Sequence, residues 1–198
     1  MPFYALGSHQ PVVHASAYVH PSADIIGDVI IEANCFIGPN AVLRGDFGRI
    51  HIKHHSNVQD CCVLHSFPNK HCIVEAHGHV GHAAVLHGCH LHTNVLVGMN
   101  AVIMDDAVIS ENSIIAASSF VAAKFECPPN SLIVGTPAKV KRSLNETEID
   151  WKSQGTQEYV ELAARYLSDV REVSREMLSE IPDERQNIDR AYDHKPGN

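Results

Sequence analysis

The sequence predicts a mainly β chain: a left-handed parallel β-helix of hexapeptide repeats with a C-terminal α-helix packed on it. An aliphatic residue returns every sixth position, first through Val13, Val19, Ile25, Ile31, Ile37 and Leu43, then through Val85, Leu91, Val97, Ile103, Ile109, Ile115 and Val121. Four places after most of these stands a small residue, as at Ala17, Ala23, Cys35, Ala41, Cys89, Ala101, Ala107, Ser113 and Ser119. A fixed short period marks a solenoid, in which each repeat buries its apolar side chain only by stacking on its neighbours. One hexad then forms one face of a triangular prism and three hexads one coil. After the last repeat the composition changes to three- and four-residue apolar spacing, which is helical.

The elements follow in order. Residues 1–140 form the prism and 141–198 a helical extension. Between the two runs the aliphatic phase moves to Ile52, Val58 and Leu64, so the steps from Leu43 to Ile52 and from Leu64 to Ile73 are nine residues each. Two inserted triplets, in 44–49 and 66–71, leave the register restored and so bulge as loops from an unbroken prism. Loops on a rigid repeat scaffold are where binding and catalysis concentrate. Gly135-Thr136-Pro137 turns the chain out of the coil. Asn145 and Glu148 have the spacing of a capping box, opening a short helix with Ile149 and Trp151 that Gly155 interrupts. From Gln157 to Leu178, residues Val160, Ala163, Ala164, Leu167, Val170, Val173 and Leu178 mark an amphipathic helix. Beyond Pro182 the residues are mostly polar and are expected to fray.

Composition narrows the function classes. The chain has 198 residues, 44% of them hydrophobic and 19% charged, with a formal net charge of -8. An acidic balance argues against a nucleic-acid surface, which needs clustered Lys and Arg. No apolar run is long enough to span a membrane and the N-terminus lacks the pattern of a secretory signal, so no membrane partner is expected and the cytoplasm is the default. The six cysteines form no C-x-x-C pair and read as reduced packing residues; Cys61 and Cys62, near the loops, are the candidates for a reactive thiol.

Most of the 15 histidines cluster between His51 and His92. On a coil an imidazole is a tolerated surface residue, and position separates the candidates. His65 follows Leu64, and His87 lies two after Val85; with the insertion allowed for, positions 64 and 85 stack on one face, so the two rings can approach one ion across a rung of roughly 4.8 Å. His82 belongs to the preceding hexad, on another face. A three-histidine site therefore needs His82 from a neighbouring molecule, and closed packing about a threefold axis would give a homotrimer with metal sites at its subunit interfaces.

The segments Arg44-Gly45-Asp46, Asn57-Val58-Gln59-Asp60, His65 and Gly81-His82 through His87-Gly88-Cys89 resemble the signature set of the γ-class carbonic anhydrase-like hexapeptide-repeat family. Arg44 through Ile50 and the tail segment Trp151 through Thr156, followed by Glu158-Tyr159, resemble the branch of that family found in phenylacetate degradation, with the carnitine-operon proteins next to it. The resemblance implies that His65, His82 and His87 bind a divalent metal, zinc first, with Fe²⁺ or Co²⁺ equally suited to imidazole. It implies that Arg44 and Asp46 form an interfacial ion pair with Asp60 nearby, and that Gln59 hydrogen-bonds the metal's water. The alternative for Arg44, Asp46 and Asp60 is that these three serve trimer assembly alone.

The branch implies hydrolysis of acyl-coenzyme A thioesters, ring-derived by-products of phenylacetate degradation, by a hydroxide that the metal makes available near neutral pH. Carbon dioxide hydration is the first alternative. It needs a proton exit, and the second loop, Ser66-Phe67-Pro68-Asn69-Lys70-His71, contains no glutamate. A hexapeptide acyltransferase, with one histidine as general base and no metal, is the second; a noncatalytic scaffold is the third. Tyr159 and Tyr166 could wall an acyl pocket or merely pack the helix.

Overall fold

The computed structural model describes residues 3–175. Side chains six apart turn inward: Ile25, Ile31, Ile37 and Leu43 are fully buried, as are Val97, Ile103, Ile109, Ile115 and Val121. Small Ala23, Ala41, Ala101 and Ala107 fill the space left at the corners. Truncating one of these isoleucines to alanine would cost about 2–5 kcal/mol, because a close-packed column cannot collapse on the void.

Strands mostly two or three residues long stack in parallel along three faces of a left-handed coil. The first face runs from Tyr18–Val19 through Asn57–Val58 and His79–Val80 to Ser131–Gly135, where the antiparallel strand Ala138–Ser143 closes it. The second carries Val63–His65, Val85–His87, Val102–Ile103 and Phe120–Val121; the third carries Cys72–Val74, His90–Leu91 and Val108–Ile109. Strands Asp24–Ile31 and Val42–Ile52 pass round the corner between the second and third faces, and their register shifts between Gly27 and Val29, where residues 46–49 bulge opposite Asp28 as the first loop. Elsewhere corners turn through single residues in left-handed backbone, such as Asn40, Cys61, Ala83 and Asn100.

The inward phase needs one correction. Val74, Val80 and Leu86 are fully buried, whereas Ile73 and Val85 are partly exposed. Leu64 to Val74 is therefore a step of ten, and Leu86 to Leu91 a step of five that returns the extra residue. Gly88, with φ at 58°, makes that tighter corner possible. Gly48 plays a different part: a Cβ there would stand 1.8 Å from the Lys70 carbonyl oxygen, so the first loop can lie against the second only because residue 48 has no side chain.

The helix Glu146–Asp169 begins at the capping box, with Glu148 N donating to Asn145 Oδ1 (2.9 Å) and Asn145 N to Glu148 Oε2 (3.2 Å). It runs unbroken through Gly155, contrary to the expected interruption. Neighbouring side chains pin it: Lys152 Nζ donates to the His77 carbonyl and to Asn94 Oδ1, and Thr156 meets His79. Those contacts outweigh the cost of about 1 kcal/mol that a helical glycine brings. The buried stripe is accordingly Glu148, Lys152, Thr156 and Ala163, so of the expected aliphatic set only Ala163 is fully buried. Tyr18 and Phe36 of the prism stack at 5.6 Å and receive Tyr159 and Tyr166 edge-on. Ala164 is exposed, Leu167 is 50% exposed, and Val170 and Val173 lie past the helix, which ends well before Leu178. Leu178 and the stretch beyond Pro182 lie outside the described residues. Among the described residues, no helix is long and apolar enough to cross a membrane.

Candidate active site

Two groups of polar residues occupy the two corners that bound the second face. At its far corner, Val63–His65 pairs with Val85–His87 so that His65 lies beside His87. The pairing sets residue 63 against 85, one place from the register expected, and it is this shift that puts the two imidazoles level. His65 Nδ1 and His87 Nε2 face each other at 3.1 Å. The opposite nitrogens are both taken: His65 Nε2 lies 2.9 Å from Asp46 Oδ1, and His87 Nδ1 lies 2.6 Å from Asp105 Oδ1.

Those contacts decide the tautomers. A carboxylate only accepts, so each ring places its proton toward its aspartate. The two facing nitrogens are then both bare lone pairs, which repel unless a proton or a cation lies between them. Ligating histidines characteristically donate their other N–H to a carboxylate, so the donor set fits a metal. Asp46 also accepts from Arg44 NH1 through Oδ2 at 2.5 Å. Burial opposes its ionisation, but the hydrogen bonds from Arg44 and His65 outweigh it and hold the carboxyl below the usual range. Each loop lays a phenylalanine against one imidazole, Phe47 at 5.5 Å from His65 and Phe67 at 4.9 Å from His87, centroid to centroid. Both rings are 55% exposed.

The near corner holds His82, whose Nδ1 stands 2.5 Å from Asp60 Oδ2 with the ring's side chain 46% exposed. His82 precedes the strand Val85–His87 and His87 ends it, so within one chain the width of the face separates them. Asp60 goes with His82; because 60 and 46 sit at opposite corners of one chain, the interfacial arrangement expected of Arg44, Asp46 and Asp60 would need a second subunit. Gln59 is buried beside this corner. Its Nε2 donates to Asn57 Oδ1 (3.0 Å) and to His79 Nε2 (2.7 Å). Burial, then the charge of Lys152 and then His82, depresses His79 to about 3, so at neutral pH its Nε2 accepts while Nδ1–H reaches Thr156 Oγ1 at 3.3 Å. Both amide hydrogens of Gln59 are thereby used, and its Oε1 is left to accept.

Gln59, His79 and His82 line a cleft of about 590 Å³ between prism and helix, with Leu96, Met99, Trp151 and Tyr159 as its apolar wall. Tyr159 thus reaches the cleft, while Tyr166 belongs to the aromatic packing. Cys62 is buried, and burial pushes its thiol up to about 12, which makes it a packing residue. Cys61 is exposed on its corner.

Three participants escaped the sequence reading. Asp105 had a signal: it stands 18 residues after His87, three hexads and so one coil on. His79 and Lys152 had none, because their roles depend on where the helix docks. Burial lowers Lys152 to about 7.

Residues 10–45 match the family model described as bacterial transferase hexapeptide (six repeats). Over 196 residues the chain is 46% identical to the carnitine operon protein CaiE of Citrobacter koseri, spanning 99% of this chain and 98% of that one. A crystal structure of a putative acetyltransferase from Bacillus cereus superposes with a TM-score of 0.83 at 36% identity, covering 84% of this chain and 96% of the other. A hexapeptide transferase family protein from Anaplasma phagocytophilum gives 0.80 at 33% identity, covering 83% and 98%.

Proposed function

The chain belongs to the CaiE family of hexapeptide-repeat proteins, and from that premise we propose that it cleaves acyl-coenzyme A thioesters with water, at sites shared between subunits of a homotrimer. The observation that carries the reading is the pair of bare imidazole nitrogens at 3.1 Å, each ring braced from behind by a carboxylate. Exposed Phe47 and Phe67 beside these rings, and Met99 at the cleft, are apolar surface that a neighbouring subunit would cover.

His65 and His87 of one subunit with His82 of the next would hold a divalent ion, zinc or else iron or cobalt. Such an ion, when bound, supplies Lewis acidity to a carbonyl oxygen and lowers the pKa of water. The protein's own groups do the rest. Asp46 and Asp105 fix both tautomers. Gln59, its N–H groups occupied by Asn57 and His79, offers only Oε1 and so orients a water by accepting its proton in a hydrogen bond. The apolar wall of the cleft receives an acyl chain and excludes solvent from it. Water oxygen bonds to the thioester carbonyl carbon, the C–S bond breaks, and carboxylate and coenzyme A thiol leave, the released proton passing to solvent.

A second reading rests on the comparisons, whose names stand nearer to acyl transfer than to hydrolysis. In it the aspartate-backed His87 or His65 deprotonates an acceptor amine or hydroxyl, which attacks the same thioester. Thiol release from aryl- and alkyl-coenzyme A esters, carnitine-derived ones included, separates the two. Hydrolysis releases thiol without an acceptor and stops on verified metal removal; release that begins only when an acceptor is added, and survives chelation, overturns it in favour of transfer. Carbon dioxide hydration, measured on the same samples, tests the anhydrase alternative.

A further inference from the structure

The corner between the third and first faces is turned on successive coils by Asn34, His55, His77, Asn94, Asn112 and Asn130, all with φ between 56° and 62°. Asparagine tolerates this left-handed backbone and its amide continues from coil to coil: Asn94 Nδ2 donates to Asn112 Oδ1 at 2.9 Å, and Asn112 Nδ2 to Asn130 Oδ1 at 3.0 Å. Two rungs break the ladder. At 55 and 77 imidazoles replace the amides and stack at 5.1 Å, 21° from parallel, and His54, next in the chain, turns its ring against both, at 5.3 and 6.0 Å. One ring nitrogen from each of the three lies within 4.8 Å of the other two.

The partners of the remaining nitrogens sharpen this. Glu32 Oε2 accepts from the His54 backbone N–H at 3.0 Å and faces His54 Nδ1 at 3.2 Å. The carboxylate accepts, so His54 Nδ1 carries the proton and Nε2 is bare. His55 Nε2 is 3.0 Å from the side-chain amide of Asn34, while His55 Nδ1 is buried with no hydrogen-bond partner. Amide oxygen and nitrogen are interchangeable in position. With the oxygen toward the ring, Nε2–H donates and Nδ1 is a lone pair; with the nitrogen toward it, Nδ1–H is buried and unsatisfied, a state that costs about 1–3 kcal/mol. The first arrangement avoids that cost once a cation meets the lone pair. Carboxylate and amide would then brace two ligating imidazoles from behind.

The geometry points to His54, His55 and His77 as a divalent transition-metal site, separate from the two corners that bound the second face. Three imidazoles suit zinc, copper or nickel rather than calcium or magnesium. The near-parallel rings of 55 and 77 must tilt for their lone pairs to converge. Because Lys152 donates to the His77 carbonyl, an ion here would also stiffen the corner on which the helix is pinned.

The test uses full-length protein, stripped with chelator and equilibrated by dialysis against Zn²⁺, with bound metal counted by atomic absorption. His77→Asn restores the ladder residue and should lose about one ion per chain while keeping thioester cleavage unchanged. His87→Ala should keep that same ion. His54→Ala, at an exposed position, repeats the loss should His77→Asn fail to fold. Zn²⁺ should raise the melting temperature of His87→Ala and leave that of the double variant His77→Asn/His87→Ala unmoved. Equal zinc content in wild type, His77→Asn and His54→Ala would overturn the assignment.

Discussion

At the far corner of the second face, two partly buried imidazoles sit level, each braced by its own aspartate; at the near corner His82 stands half-exposed on Asp60 beside an apolar cleft. The far corner is complete in its supports yet offers only two ring nitrogens. The near corner offers the third nitrogen, the oriented glutamine and the room for substrate. Neither performs the proposed chemistry alone, and the face between them keeps one chain from joining them. On the proposed reading, reactivity and recognition are divided between opposite corners, and packing around a threefold axis is what would reunite them.

The sharpest way to break this comparison is to damage one corner in each of two subunits. His87→Ala and His82→Ala should each lower thiol release by about 10³-fold, and mixed trimers of the two should recover activity, since some interfaces then join an intact far corner to an intact near one. No recovery in mixtures shown by mass spectrometry to contain heterotrimers would confine the site to one chain. Replacing Asp105 by Asn removes a brace without removing a ligand, and a loss of about 10–100-fold in metal affinity or turnover is expected; an unchanged variant would make Asp105 a packing residue.

The near corner carries its own pH signature. The unfolded chain protonates His79 near pH 6.5, but the folded one resists until about 3. The unfolded state therefore binds more protons in that window, and stability falls as pH drops through it. His79→Gln should flatten that fall in denaturant titrations. Gly48→Ala drives the first loop off Lys70 and should cost about 1–3 kcal/mol, with activity lost at the far corner while the cleft still binds apolar acyl chains. The smallest effect belongs to Gly155→Ala, which should stabilise the helix by about 0.5–1 kcal/mol and narrow the cleft it lines. A shift in acyl-chain preference would report the narrowing.

Legibility followed the range of the forces involved. The inward column could be read because each coil repeats one packing problem, and only where the chain departs from six, at Val74 and Leu86, did the reading slip by one. His65 and His87 were legible as neighbours because strand pairing in a solenoid is a matter of counting. The tail misled: its aliphatic spacing around Val160, Ala164 and Leu167 suggested the packed stripe, whereas Lys152 and Thr156 took that place by hydrogen-bonding groups of the prism wall.

The sequence by itself determined the coil, its two loops, the helix start and, among the residues of the two corners, His65, His87, Asp46, His82, Asp60 and Gln59 but not Asp105 or His79, because a solenoid contacts only its nearest turns and its packing is written in periodicity. Tertiary structure alone decided which ring nitrogens are bare, which carboxylate braces which histidine, and which face of the helix is buried. Those outcomes depend on directional bonds between residues a coil or more apart, where a displacement of about an ångström separates a hydrogen bond from none.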